Sequence, residues 1–313
     1  MEFGVQIEPQ FGFNYDSILA ISETAVACGF STMWFSDHFM LDKDATDRIL
    51  LDPWLLMTAL VRENKTVRVG SLVFCNSYRN PALTAKMAAT LDTLSEGRFE
   101  FGYGAGWKEI EYNAYGYEFL NDDMRINQLE EAVQIIRGIW SEERFSFSGE
   151  HYSVSSLVSY PKPFQDAPRI WIGTMKAKDR MLELTAKYAD GVNVAWSFTP
   201  EQCQRIFERL DNFSQKHGRE SGSILRSVGF WTRCFEDEEQ MISAIIENAA
   251  KRGIGVDEYK RRIESALWGT PEAIIEKLER FQELDLDHAI FMFPHENEID
   301  QMKLLRSKVL SKL

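Results

Sequence analysis

The chain has 313 residues, 44% hydrophobic and 27% charged, an ordinary globular composition with ample material for a large core. Its net charge of −13 argues against a nucleic-acid or anionic-membrane surface, and no apolar run is long enough to span a bilayer. Four scattered cysteines, Cys28, Cys75, Cys203 and Cys234, form no CxxC pair and read as reduced thiols of a cytoplasmic protein, not as a disulfide frame or a zinc site. The first residues show neither the basic nor the apolar region of a signal peptide. The closing Ser311-Lys312-Leu313 matches a peroxisomal address, but it also completes a helical pattern and is read as such.

In chain order, residues 3–7 predict a strand, and residues 14–28 carry Ile18, Leu19, Ile21, Ala25 and Val26 at helical spacing until Gly29. Residues 32–36 predict the second strand, with Asp37 and His38 at its end. Pro53 opens a helix to about Asn64. Residues 67–74 predict the third strand, Pro81 opens the next helix, and the fourth strand follows Gly97. Further on come a helix over 125–140, a hairpin from 145–147 and 151–154, a strand at 169–172 and a helix over 180–188. Then a strand at 191–194, a helix over 200–216, a strand at 227–231, a charged helical insertion at about 236–266, a capped helix from Thr270 and a strand at 288–293.

Strict strand–helix alternation implies parallel strands joined by right-handed crossovers. About eight such units at this length predict an α/β fold, a (β/α)8 TIM barrel, as one domain over residues 1–313. A doubly wound open sheet is the runner-up; against it, the first strand–turn lacks a GxGxxG fingerprint.

In such barrels chemistry sits at the C-terminal strand ends. That rule selects Asp37 and His38, then Cys75 and Asn76, then Gly104, Gly106 and Trp107, then Gly173, Thr174 and Asn193. An imidazole there exchanges protons near neutral pH and a carboxylate orients a ring; a helix cap and a structural histidine are the plainer alternative. Glycines at 102, 104 and 106 leave one strand face bare, for a flat group lying on the backbone, for another strand that crowds it, or for a tight barrel corner. Residues 173–180 join a strand end to a helix start with three basic residues, suiting a phosphate; a solvated helix end is the alternative. The five histidines (His38, His151, His217, His288, His295) show no metal-ligand spacing.

The ordered set Trp34-Phe35-Ser36-Asp37-His38-Phe39, Gly70-Ser71-Leu72-Val73, Leu91-Asp92-Thr93-Leu94-Ser95-Glu96-Gly97-Arg98, Gly102-Tyr103-Gly104-Ala105-Gly106-Trp107 with Glu111, Tyr188-Ala189-Asp190-Gly191 and Gly269-Thr270-Pro271 resembles the luciferase-like monooxygenase superfamily, and within it the branch using coenzyme F-420. The resemblance implies a barrel, often a homodimer, acting on a small-molecule substrate. The deazaflavin ring would lie against the third and fourth strand ends, backed by a non-proline cis peptide at Leu72–Val73 and approached over Gly104, Ala105 and Gly106. Asp37 would meet the ring's polar edge, and Cys75 falls near a polar contact of the family. Gly173, Thr174, Met175 and Lys176 would hold the phosphate.

The resemblance makes His38 the proton-transfer candidate, with Asp37 beside it. A sugar-phosphate-oxidising branch carries a glutamate where Trp107 stands here, with Glu109 and Glu111 further on; Glu109 is taken as the nearby acid and sugar-phosphate oxidation is not carried over. Trp107 then covers the substrate pocket or packs the mouth. Phe11, Phe13, Phe39, Met40, Tyr112, Trp196 and Trp231 are further candidates for an apolar mouth. An FMN-dependent, oxygen-using monooxygenase is the alternative to the deazaflavin oxidoreductase, and a barrel that only binds or scaffolds is the third reading.

Overall fold

Helix starts fall where the sequence provides caps. Asn14 accepts the Ser17 amide ahead of the helix Tyr15–Ala27, Asp52 and Asn80 cap helices that open on Pro53 and Pro81, and Thr199 with Gln202 forms a capping box. The computed structural model describes all residues except Ser197. Its strands are β1 (Glu2–Ile7), β2 (Thr32–Phe35), β3 (Arg68–Ser71), β4 (Phe74–Cys75), β5 (Phe99–Gly104), β6 (Phe145–Ser148), β7 (Ser153–Leu157), β8 (Ile170–Thr174), β9 (Gly191–Val194), β10 (Leu225–Cys234), β11 (Leu267–Gly269) and β12 (His288–Met292).

Parallel pairing runs β1–β2–β3–β5–β8–β9–β10–β12 and returns from β12 to β1. The sheet closes on itself, which excludes the doubly wound alternative, since an open sheet keeps two edges. Tryptophans laid over glycines pack much of the barrel interior. A Cβ on Gly70 would come within 2.7 Å of the Trp34 ring, Gly191 faces Trp171, and Gly229 faces Trp196. Trp34 and Trp171 meet edge to face at 6.0 Å.

Three expectations are corrected. The third strand is not continuous: β3 and β4 are separated by Leu72 and Val73, whose peptide bond is cis. The insertion contains the helices Glu238–Lys251 and Val256–Arg262 and leads into β11, which pairs with the extended end of β10 and was not anticipated. The hairpin's second strand lies later than predicted, at Ser153–Leu157. A short helix, Glu109–Tyr115, was also missed; its spacing is obscured by the glycine-rich loop before it. All four cysteines are buried and unpaired, and no helix among the described residues is long and apolar enough to cross a membrane.

Candidate active site

A cavity of about 850 Å³ opens at the C-terminal ends of the barrel strands. Its wall takes Asp37 and His38 from beyond β2, Leu72, Val73 and Cys75 from the β3–β4 break, and Gly104, Ala105, Gly106, Trp107 and Glu109 from beyond β5. The β8 end adds Gly173, Thr174, Met175 and Lys176. The residues assigned from the sequence to catalysis or coenzyme binding therefore meet in one cavity, but several face differently from the expectation; Asn76, also selected at its strand end, is instead buried between the Tyr103 and Tyr152 hydroxyls, at 2.7 and 3.2 Å.

His38 is held by a residue outside the selected set. Its Nδ1 lies 3.0 Å from Glu111 Oε2, and Glu111 is fully buried. Glu111 also accepts from the backbone amides of Phe39 (3.0 Å) and Met40 (3.1 Å), from the Tyr78 hydroxyl (2.7 Å), and from Lys108 Nζ (3.1 Å). Burial alone would push its carboxyl up. The hydrogen bonds from His38 and Tyr78 and the charges of His38 and Lys108 outweigh burial and hold it down at about 2. Glu111 is therefore an acceptor only, so the proton shared with His38 sits on Nδ1 and Nε2 is left without a partner among the described residues. The Trp107 ring stands edge-on to the imidazole at 5.6 Å. Glu109, the predicted acid, lies on the exposed side of the cavity mouth; the same short helix turns Glu111 inward two residues later. The available signal was that spacing, Lys108 and Glu111 three apart with a carboxylate on either side of Ile110.

Asp37 is also buried, and its three hydrogen bonds run to the protein. Arg79 donates to both oxygens, at 2.7 and 3.0 Å, and the Cys75 amide donates at 3.0 Å. Burial raises its carboxyl above the usual range, against the pull of Arg79. The carboxylate thus ties the β2 end to β4. The Cys75 thiol, pushed up to about 12 by burial, stays protonated against the Tyr112 hydroxyl at 3.2 Å.

The bare glycine face is not a shelf of naked backbone: of the alternatives read from the sequence, crowding by the neighbouring strand holds and the open shelf does not. Val73 occupies it at two positions, where a Cβ on Gly104 would meet Val73 Cγ2 at 2.6 Å and one on Gly173 would meet Cγ1 at 2.8 Å, while a Cβ on Gly102 would run into the Ser71 carbonyl oxygen at 1.9 Å. Gly106, at φ +78°, is backed by Tyr112 and by Cys75 Sγ at 2.6 Å. The glycines admit the Val73 isopropyl group, and the surface offered to the cavity includes Val73 itself.

At the β8 loop, Thr174 Oγ1 accepts the Ala177 amide at 2.9 Å, and the helix Asp179–Tyr188 begins without a side-chain cap. Of the three basic residues, Lys178 pairs with Asp122 at 2.9 Å and Arg180 with Glu130, while Lys176 is exposed and has no carboxylate partner among the described residues. Across the cavity stand Phe11, Trp196, Trp231 and Met292. Glu8 and Gln10, beyond β1, line the wall too and were missed; Phe13 and Tyr112 are instead core residues, and Phe39 stacks on Tyr78 at 4.3 Å.

A family model described as luciferase-like monooxygenase matches residues 1–288. An F420-dependent glucose-6-phosphate dehydrogenase of Amycolatopsis mediterranei is 25% identical over 96% of this chain and 95% of its own. An FMNH(2)-dependent dimethylsulfone monooxygenase of Pseudomonas fluorescens is 25% identical over 77% of this chain and 72% of its own. Among solved structures, an F420-dependent secondary alcohol dehydrogenase shares the fold with a TM-score of 0.83 at 19% identity, covering 99% of this chain and 98% of that one. With the closed barrel and the rim site already in place, the match fixes the lineage: this chain belongs to the luciferase-like monooxygenase family.

Proposed function

We propose that the chain is an oxidoreductase that uses the deazaflavin coenzyme F-420 to exchange a hydride with a small organic substrate, with His38 handling the proton. The carrying observation is the imidazole anchored through Nδ1 by a buried carboxylate, with Nε2 unclaimed beside the cavity. The full-length relative named for F420 supports the choice of coenzyme. The cavity's residues suit such a group. Val73 and the Gly104–Gly106 turn offer a surface for a planar ring, and Lys176 with the uncapped helix start at Asp179 offers a cation and free amides for a phosphate. When bound, the coenzyme supplies two-electron hydride chemistry. Glu111 keeps the Nδ1 proton in place, so Nε2 accepts a proton from the substrate or returns one. Asp37 and Arg79 lock the β2 and β4 ends on either side of it, and Trp107 stands edge-on beside the imidazole at the mouth.

The test is a fluorescence titration of the purified protein with F-420 and with FMN. Binding of F-420 in preference to FMN is the expected result; tight FMN binding with no F-420 binding overturns the reading in favour of an FMN-dependent monooxygenase. We further infer a homodimer in the cytoplasm. Leu55 and Leu83, 74% and 53% exposed on the adjacent helices Pro53–Glu63 and Pro81–Ser95, support self-association, and the buried free thiols support a reducing compartment. Sedimentation of the wild type against a Leu55→Lys, Leu83→Lys variant checks the dimer.

A further inference from the structure

The cations and the aromatic groups of the cavity lie in different sectors. Lys108 is engaged by Glu111 at 3.1 Å and by the Met40 carbonyl. Arg125 is engaged by Asp122 at 2.7 Å and lies over the Phe119 ring, and Lys178 is engaged by the same Asp122 at 2.9 Å. Among the described lysines and arginines of the wall, Lys176 alone lacks a carboxylate partner, and it belongs to the β8 loop assigned above to the coenzyme's phosphate. The opposite sector, from β9 round to β1, presents Phe11, Trp196, Trp231 and Met292. The Trp196 and Trp231 rings are 6.1 Å apart, and Trp231 is 40% exposed, a large apolar surface left open to solvent. The carboxylate in that sector, Glu8, accepts from the amides of Gln6, at 2.8 Å, and Gln10.

We propose that this aromatic sector binds an uncharged, largely apolar substrate, an alcohol or carbonyl compound with an aliphatic or aromatic body, and discriminates against phosphorylated or carboxylated ones. The proposal rests on reading the cavity as the deazaflavin redox site. An anion placed there would lose its hydration with no free cation to replace it and with Glu8 nearby, whereas an apolar body would be removed from water against indole and thioether surfaces. The polar end of such a molecule has His38 to meet. The relative named for glucose-6-phosphate would then differ from this chain in substrate class while sharing its fold and coenzyme.

Affinity for a matched trio tests this: acetophenone, para-acetylbenzoate and the para-acetylphenyl trimethylammonium ion share one body and differ in charge. Dissociation constants are measured by calorimetry on the protein saturated with F-420. Coenzyme binding is established beforehand by fluorescence quenching; if F-420 does not bind, the coenzyme reading fails by itself, and the trio is then titrated into the free protein. Acetophenone is expected to bind at least about 10-fold more tightly than either ion, and Trp231→Ala to weaken it by about fivefold or more with F-420 affinity unchanged. Equal or tighter binding of the benzoate or of the ammonium ion, failure of acetophenone to bind at millimolar concentration, or indifference of its binding to Trp231→Ala each overturns the proposal.

Discussion

Each mouth of the barrel carries a histidine, and the two are built for opposite ends. At the C-terminal mouth His38 has a buried carboxylate on Nδ1 and an open cavity beside it. At the N-terminal mouth, where a second cavity of about 550 Å³ opens, His288 is packed against the Trp34 and Trp171 rings at 5.7 and 6.2 Å, and its buried Nε2 has no partner among the described residues. Of the positive charges that bear on it, Arg68 and Arg169 both pair with Glu100, which also accepts from Trp171 Nε1 at 2.8 Å, and the third is the N-terminal amine. Burial, helped by the charges of Arg169 and Arg68, drives His288 down to about 3, so it stays neutral; no carboxylate among the described residues is hydrogen-bonded to it as Glu111 is to His38. The two imidazoles differ in whether a buried carboxylate is hydrogen-bonded to the ring: Glu111 is to His38, and Glu100 is spent on Arg68, Arg169 and Trp171 instead of His288.

The largest effect that tests this contrast is on turnover. His38→Ala is expected to lower kcat by about 100- to 10,000-fold while F-420 affinity stays unchanged, and His288→Ala to leave kcat near the wild-type value. Similar losses from both variants would break the comparison. Next in size is Glu111→Gln. An amide can still receive the Nδ1 proton but carries no charge and leaves Lys108 without its partner; kcat is expected to fall by about 10- to 100-fold at unchanged F-420 affinity, with lower thermal stability. A Glu109→Gln variant made alongside should match the wild type, because that carboxylate is exposed at the mouth.

The barrel was legible because its determinants are local. Pro53, Pro81 and Pro271 start helices, Asn14 and Thr199 cap them, and the alternation with apolar strands follows from short-range pattern. Strand ends then named the site, since in a closed parallel barrel they all reach one rim. What stayed hidden were contacts made across the rim. Nothing in the spacing of His38 and Glu111, 73 positions apart, says that one carboxylate collects five donors, or that Asp37 is spent on Arg79. The glycines at 102 and 104 were correctly seen to need a reason, and crowding by a neighbouring strand was among those read; but the occupants, the Ser71 carbonyl at Gly102 and Val73 at Gly104, lie at a break that periodicity reads as continuous strand.

That occupancy gives a smaller, sharper test of the upper mouth. Gly104→Ala places a methyl group against Val73 Cγ2 and is expected to cost about 1–3 kcal/mol in urea unfolding and to weaken F-420 binding. Val73→Ala added to it removes the obstructing methyls and should recover a good part of the stability loss, a coupling of about 0.5–3 kcal/mol in the double-mutant cycle. Strict additivity would mean that Val73 does not fill the glycine face.

The lower mouth is tested most finely by pH. His288 has an ordinary value of 6.5 and is held at about 3 in the fold. Between those values the unfolded chain binds a proton that the folded chain refuses. The contribution of this neutral imidazole is therefore complete above pH 6.5 and is lost as the pH falls, by up to about 1.4 kcal/mol per unit. Glu111 carries a different window: its folded value of about 2 lies below the ordinary 4.5, so its contribution is intact above pH 4.5 and fades from there towards pH 2. The interval from 6.5 to 4.5 therefore separates the two ends of the barrel. Urea unfolding of the wild type and of His288→Gln, compared across that interval, should show the wild type losing stability faster on acidification, so the gap between the two curves narrows as the pH drops. Parallel curves would mean that the folded chain protonates His288 as readily as the unfolded one, and the distinction drawn between the two histidines would then have to rest on Glu111 alone.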